Sequence, residues 1–299
     1  MQKKFLLQPN LKRVSFTDWI DKMTYIYNLL DLLLPFSWAD YGFMKNALLA
    51  MLIIAPLMGI LGTMAVNNKM AFFSDALGHS ALTGVALGVL LGIKNEIISL
   101  VAFGVLLALI ITRVKNKGSA SSDTVISVFS STAVALGLLV LSYGGGFSKY
   151  SAYLVGDILS VTKGEILCLS LTLVAVLIIW SLIYNKLLLI SINRELAASR
   201  GIKTVLYENI FVIVVAVVVM LSIKSVGILL INSLLILPAA TARNVSKNSR
   251  SYLGFSVLTS LICGVGGLIT SFYTDTSAGA TIVMALAVVF FVTYLFRKK

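Results

Sequence analysis

Nine separate apolar runs, each long enough to cross a hydrocarbon core, constrain this chain more than any other feature. They fall at about 43–66, 71–92, 97–113, 123–142, 165–185, 205–222, 227–245, 252–273 and 277–296. A helix needs about 20 residues to cross, because each residue rises about 1.5 Å. Lipid offers no partner to backbone polar groups, so runs of this length must satisfy them internally as helices. The expected fold is therefore all-α: a polytopic transmembrane helical bundle of about eight or nine spans. Composition agrees, since 59% of residues are hydrophobic and 12% charged, against about 45–50% and 25% in soluble globular domains. Little chain is left for a soluble domain.

A net charge of +12 raises the question of nucleic acid. No basic stripe interleaved with aromatics exists, however, and the Lys and Arg residues sit mainly in short connectors, where they act as topology signals and contacts to anionic headgroups. No nucleic-acid partner is expected; the lipid bilayer is. One alternate set of connectors and ends carries Lys69, Arg113, Lys115, Lys117, Lys186, Arg194, Arg200, Lys203, Arg243, Lys247, Arg250, Arg297, Lys298 and Lys299, and the other carries Lys94, Lys149, Lys163 and Lys224. Fourteen against four places the first set, with the C-terminus, in the cytoplasm. An odd number of spans then sends residues 1–42 outside, although they hold Lys3, Lys4, Lys12, Arg13 and Lys22. An uncounted crossing would reverse that.

The chain divides into an N-terminal segment, 1–42, and a transmembrane domain, 43–296. Within the first, Tyr25–Pro35 is too short and too polar to span and reads as an amphipathic helix in the interface. Residues 1–40 lack a compact apolar core followed by a small-residue cleavage site, so no signal peptide is expected. Residues 144–161 are apolar but broken by glycine, which fits a re-entrant or interfacial segment. Residues 187–204 form the longest cytoplasmic connector; Asn193 can cap a short helix from Arg194 to Arg200 that Gly201 stops, leaving a helix available for docking. Cys168 and Cys263 lie inside apolar runs and read as lipid-buried side chains, since a free Cys behaves as a small hydrophobe.

Ionisable residues inside a span cost about 2.5–3.5 kcal/mol on insertion scales, so each asks for a reason. The run at 71–92 holds Asp75 and the single histidine, His79. Four residues apart, they project from one helical stripe. Gly84, Gly88 and Gly92 lie on the far side as a small-residue ridge for close helix packing. A carboxylate and an imidazole suit Mn²⁺, Zn²⁺ or Fe²⁺, and no thiolate cluster favours copper(I). A structural hydrogen bond or a proton relay would use the same pair. Two ligands do not complete a shell, and a homodimer bringing both pairs to a shared axis would supply four.

Other residues carry default roles. Asp123 and Asp157 begin or flank spans, where capping is expected. Pro56 and Pro238 lie inside spans; Pro56 reads as a helix kink, and Pro238 as a kink or a pathway position. Lys224 and Asp275 stand at span ends, facing solvent or headgroups. No Gly-x-x-x-x-Gly-Lys-Ser/Thr phosphate loop is present, so an ATP-driven process would take its ATPase from another chain.

The segment Asp75-Ala-Leu-Gly-His79-Ser-Ala-Leu-Thr-Gly84-Val-Ala-Leu-Gly88 resembles a signature of the ABC-3 family, the permeases of manganese, zinc and iron importers. Similar stretches recur in order at Asp123–Ser130, Tyr153–Leu159, Glu195–Gly201, Val226–Arg243 and Ser277–Val283. The resemblance covers about residues 43–296. It departs at Gly78, Thr83 and Ser277, where Ser, Pro and a Pro-Thr-Gly motif are usual.

The resemblance implies a homodimeric permease of the bacterial cell membrane, not itself an enzyme. Metal ligands would be Asp75 and His79. ATPase subunits would grip Arg194, Glu195, Ala198, Arg200 and Gly201. Gly84, Gly88 and Pro238 would serve packing and the pathway, and an extracytoplasmic metal-binding protein would deliver the ion. The metal is cargo, and no permanently bound cofactor is expected. The alternative is an ion-coupled secondary transporter that uses Asp75 and His79 as a proton relay.

Overall fold

The computed structural model describes residues 27, 37–93, 95–118, 120–144 and 156–296. The interfacial stretch expected at 25–35, Tyr27 excepted, lies outside them, as do the N-terminal basic residues, positions 145–155, Lys94, Lys149 and the basic C-terminus. Two compact units divide the chain, Met1–Lys45 and Asn46–Lys299. In the first, a 3₁₀ turn forms at Ser37–Asp40, and the Lys45 ammonium stands 5.9 Å from the Tyr27 ring centroid.

Among the described residues there are ten α-helices and no strand: α1 Gly42–Asn67, α2 Phe73–Leu90, α3 Glu96–Asn116, α4 Ser122–Gly144, α5 Lys163–Ile192, α6 Arg194–Ser199, α7 Thr204–Val226, α8 Ile228–Val245, α9 Ser249–Thr274 and α10 Ala278–Leu295. All but α6 are long and apolar enough to cross a membrane, as the nine runs require. Polar residues between the runs set the ends. Asn95, Asn193 and Asn248 each accept a backbone N–H from the first turn of α3, α6 and α9, at 3.1, 2.9 and 2.8 Å. Thr162 and Glu165 form a reciprocal capping box at the start of α5. The N-terminal hydrogen bond of α4 comes from Ser121, which accepts Thr124 N–H, so Asp123 does not supply the cap. Asp157 does cap the 3₁₀ turn Ile158–Ser160, through Leu159 N–H.

One connector is shorter than the sequence reading places it. Helix α5 runs on through Ile192 because Leu187 and Ile190 continue its buried face, and the break comes only where Asn193 offers a cap. Residues 193–203 therefore carry α6 and the turn after it, with Gly201 at φ +77°. The α7–α8 junction is similarly tight: a single residue, Gly227 at φ 90°, separates the helices.

Small side chains set the packing. Helix α2 packs on α3 and α4; α7 packs on α2, α3 and α5; α8, α9 and α10 pack on one another. Gly84 and Gly88 face α3, against Leu100 and Ser99, and Ser99 Oγ donates to Gly84 O at 2.5 Å. Gly92 is not part of that ridge: α2 ends at Leu90, and Gly92 is a turn residue at φ +71°. Thr83 donates its hydroxyl to Ala133 O of α4 at 2.5 Å. Two serines of α9 do the same for α1, Ser256 to Gly59 O at 2.8 Å and Ser260 to Ala55 O at 2.6 Å. Interhelical hydrogen bonds and close backbone approach are the attractions that remain once lipid has removed the hydrophobic difference between helix and solvent. Outward faces stay apolar, with Leu171, Val174, Ile178 and Leu182 of α5 and Met284, Val288 and Phe291 of α10 exposed.

Candidate functional site

Asp75 stands in the first turn of α2 and His79 in the second, because the helix starts only at Phe73. The sequence reading sets both within the run at about 71–92, and the observed start lies two residues later. Asp75 is therefore near the end of the bundle that holds Lys69, where hydration and the positive helix N-terminus both lower the cost of a carboxylate. Its Oδ1 lies 3.5 Å from His79 Nε2, and the two side chains are 45% and 50% exposed. The same Oδ1 accepts Asn232 Nδ2 of α8 at 2.8 Å. A tightly closed structural pair would bury both groups against each other. Here the amide orients the carboxylate while imidazole and carboxylate both remain open.

Asp75, but not His79, lines a cavity of about 430 Å³ between α2 and α4, together with Phe72, Ala76, Asp123, Ile126, Ser127, Ser130 and Ser131. On α4, Asp123, Ser127, Ser130 and Ser131 follow the three-and-four spacing that puts side chains on one helical face. That face meets Asp75 across the cavity. It offers a second carboxylate and three hydroxyls, all hard oxygen donors suited to a divalent cation. Among the described residues no group of three or more His, Cys, Asp or Glu converges within the single chain. A separate cleft of about 350 Å³ lies between α3, α5 and α7 at the opposite end, where Lys224 Nζ is 3.9 Å from Glu165 Oε1. Its walls are mainly aliphatic, and of its three charged residues, Glu96, Glu165 and Lys224, the last two face each other, so it is the weaker candidate for ion chemistry.

The remaining residues singled out by their sequence pattern are dispersed. Arg194, Glu195 and Ala198 lie on α6, and Arg200 and Gly201 follow it; Arg194 Nη2 is held by Glu208 Oε2 of α7 at 3.0 Å. Pro238 is buried inside α8. Near it α8 passes so close to α1 that the Leu235 carbonyl occupies the space beside Gly62 where a side chain would stand. Asn232, Glu208 and the α4 hydroxyl face escaped the reading from sequence. The first two are polar residues within apolar runs, Glu208 beside Asn209 and Asn232 beside Ser233, and the third is legible as a periodic stripe.

The ABC 3 transport family model matches residues 40–297. The chain is 33% identical over 254 residues to the high-affinity zinc uptake system membrane protein ZnuB of Haemophilus influenzae, covering 85% of this chain and 97% of that one. It is 32% identical over 260 residues to the manganese import system permease protein ScaB of Streptococcus gordonii, covering 87% and 93%. Among solved structures, PsaBC from Streptococcus pneumoniae in complex with Fab superposes with a TM-score of 0.74 at 27% identity, over 94% of this chain and 95% of that one.

Proposed function

This chain belongs to the ABC 3 transport family, and from that premise we propose that Asp75 and His79 hold the ion it conducts. The protein is the multi-pass permease subunit of an ATP-binding-cassette importer for a divalent transition metal, in the bacterial plasma membrane. The observation that carries the ligand assignment is the open carboxylate–imidazole pair, 3.5 Å apart and oriented by Asn232. A transported ion must be held strongly enough to replace its water and weakly enough to leave. An incomplete shell from one chain fits that demand, and a second copy placing its own Asp75 and His79 on a shared axis completes it.

Energy reaches this site from outside the chain. ATPase subunits dock on α6 and the turn through Gly201, and their closure switches which side of the membrane reaches Asp75 and His79. An extracytoplasmic binding protein presents Mn²⁺ or Zn²⁺ at the opposite end. The test is reconstitution of the permease with its ATPase subunit and binding protein in proteoliposomes, measuring uptake of radiolabelled Mn²⁺ and Zn²⁺. Uptake that requires ATP is expected; uptake driven by a proton gradient alone would overturn the reading.

Asn232 carries its own prediction. Asn232→Leu keeps the volume but removes the donor that orients Asp75, and should lower metal affinity by about 10-fold, at the low end for groups that orient a ligand. Isothermal titration of the purified complex with Mn²⁺ checks this, and unchanged affinity would remove Asn232 from the site.

A further inference from the structure

At the basic end of the bundle one carboxylate joins helices that the backbone connects only loosely. Glu208, in the second turn of α7, accepts two hydrogen bonds on Oε2: from Arg194 Nη2 at 3.0 Å and from Asn116 Nδ2 at 2.8 Å. Arg194 is the first residue of α6, and Asn116 the last of α3. The Glu208 side chain is 18% exposed. Next to Asn116 along α3, Lys115 donates Nζ to Asn68 O at 3.2 Å, in the turn between α1 and α2. Asn68 in turn donates its amide to Met64 O at 2.8 Å, fastening that turn to the end of α1. Five residues after Asn68, α2 begins, with Asp75 in its first turn.

The backbone between α6 and α7 is a poor transmitter. Gly201, Ile202 and Lys203 are non-helical, and Gly201 has positive φ, so a push on α6 would be absorbed there. The Arg194–Glu208 bond crosses that break directly. An exposed ion pair alone is worth little. Glu208 instead shares one oxygen of a mostly covered side chain between a guanidinium and an amide at short distances, which fixes direction as well as distance. From Asn116 the path continues one residue along a rigid helix to Lys115 and the turn ahead of α2.

We propose that Glu208 is a positioning residue for transport: it passes displacement of α6 through α3 and the Asn68 turn to the helix that carries Asp75 and His79. The inference rests on the function proposed above, in which α6 docks the ATPase. Two global arrangements biased at both ends by one set of contacts are the physical content of such coupling.

The experiment compares wild type, Glu208→Gln and Lys115→Met, each assembled with the ATPase subunit and binding protein in proteoliposomes. It measures Mn²⁺ and Zn²⁺ taken up per ATP hydrolysed, the affinity for each ion, and the yield of assembled complex. Glu208→Gln should lower ions per ATP about tenfold, within the usual range for coupling between sites, while affinity and yield stay at wild type. Lys115→Met, which leaves the Arg194–Glu208 bond in place, should lower the same ratio with the same signature. A wild-type ratio in Glu208→Gln overturns the inference, and so does a loss of affinity that accounts for the lost uptake. If Glu208→Gln does not assemble, Lys115→Met decides: a wild-type ratio overturns the inference, and a lowered one supports it. Wild-type complex that imports neither ion with ATP would instead defeat the functional reading itself.

Discussion

Replacing Asp75 or His79 by alanine is expected to reduce ATP-driven Mn²⁺ or Zn²⁺ uptake by more than about 100-fold, since even groups that only orient a ligand typically matter by about 10–100-fold. The size follows from how little else the chain offers. Asp75 and His79 are the two ligands assigned to each copy. Asp123 and the α4 hydroxyls line the cavity opposite Asp75, but among the described residues no group of three or more His, Cys, Asp or Glu converges. Each substitution therefore removes one of the two assigned ligands, and in the proposed homodimer removes it twice. Folding should be spared. Both side chains are about half exposed, and neither fills the packed interior. Asp75→Asn separates charge from hydrogen bonding, because its amide oxygen still accepts from Asn232 Nδ2 while the negative charge is gone; uptake should fall as far as in Asp75→Ala. Radiolabelled uptake in proteoliposomes and the yield of monodisperse complex in detergent are the measurements. Wild-type uptake by either alanine variant would remove that residue from the pathway.

Gly62→Ala is expected to be the most damaging single-carbon change in the bundle. A Cβ at Gly62 runs into the Leu235 carbonyl oxygen and carbon of α8, and backbone cannot rotate aside as a side chain can. Overpacking a well-filled interior typically costs about 1–3 kcal/mol; a clash with backbone on the far helix should reach or exceed the top of that range. The comparison that isolates the cause is Gly254→Ala or Gly266→Ala, both on α9, where an added Cβ meets nothing within 4 Å. Those should be neutral, or gain up to about 1 kcal/mol from helix propensity. Thermal unfolding in detergent ranks the three. A Gly62→Ala protein as stable as Gly254→Ala would show that α1 and α8 are not held at the separation described.

How much of this could be read in advance differs by element. The nine spans were legible because lipid imposes a length and an apolar character on every crossing segment, whatever its neighbours. The short helix α6 was legible too, since Asn193 and Gly201 act on their own few residues. The end of α5 was not, because Leu187–Ile192 is apolar enough for helix or connector, and burial of Leu187 and Ile190 decided it. Asp75 and His79 were found from rarity and spacing. Their open orientation depends on Asn232, 157 positions from Asp75, and spacing along one helix carries no information about a residue that far away.

Hydropathy and charge along the chain thus specify the solvent, about nine crossings, the basic end and the helix that bears the candidate ligands. Each follows from local chemistry: hydropathy over about 20 residues, charge in a connector, a cap within a turn. What those ligands face follows from how the helices pack. That packing set the α4 hydroxyls across from Asp75, turned the Gly84 and Gly88 ridge inward onto α3, and joined α6 to α3 through Glu208. Helices in lipid gain little from apolar contact as such, so their pairing rests on small residues and single hydrogen bonds between distant parts of the chain. Those partners are specified by shape and geometry, which become visible only when the helices are packed.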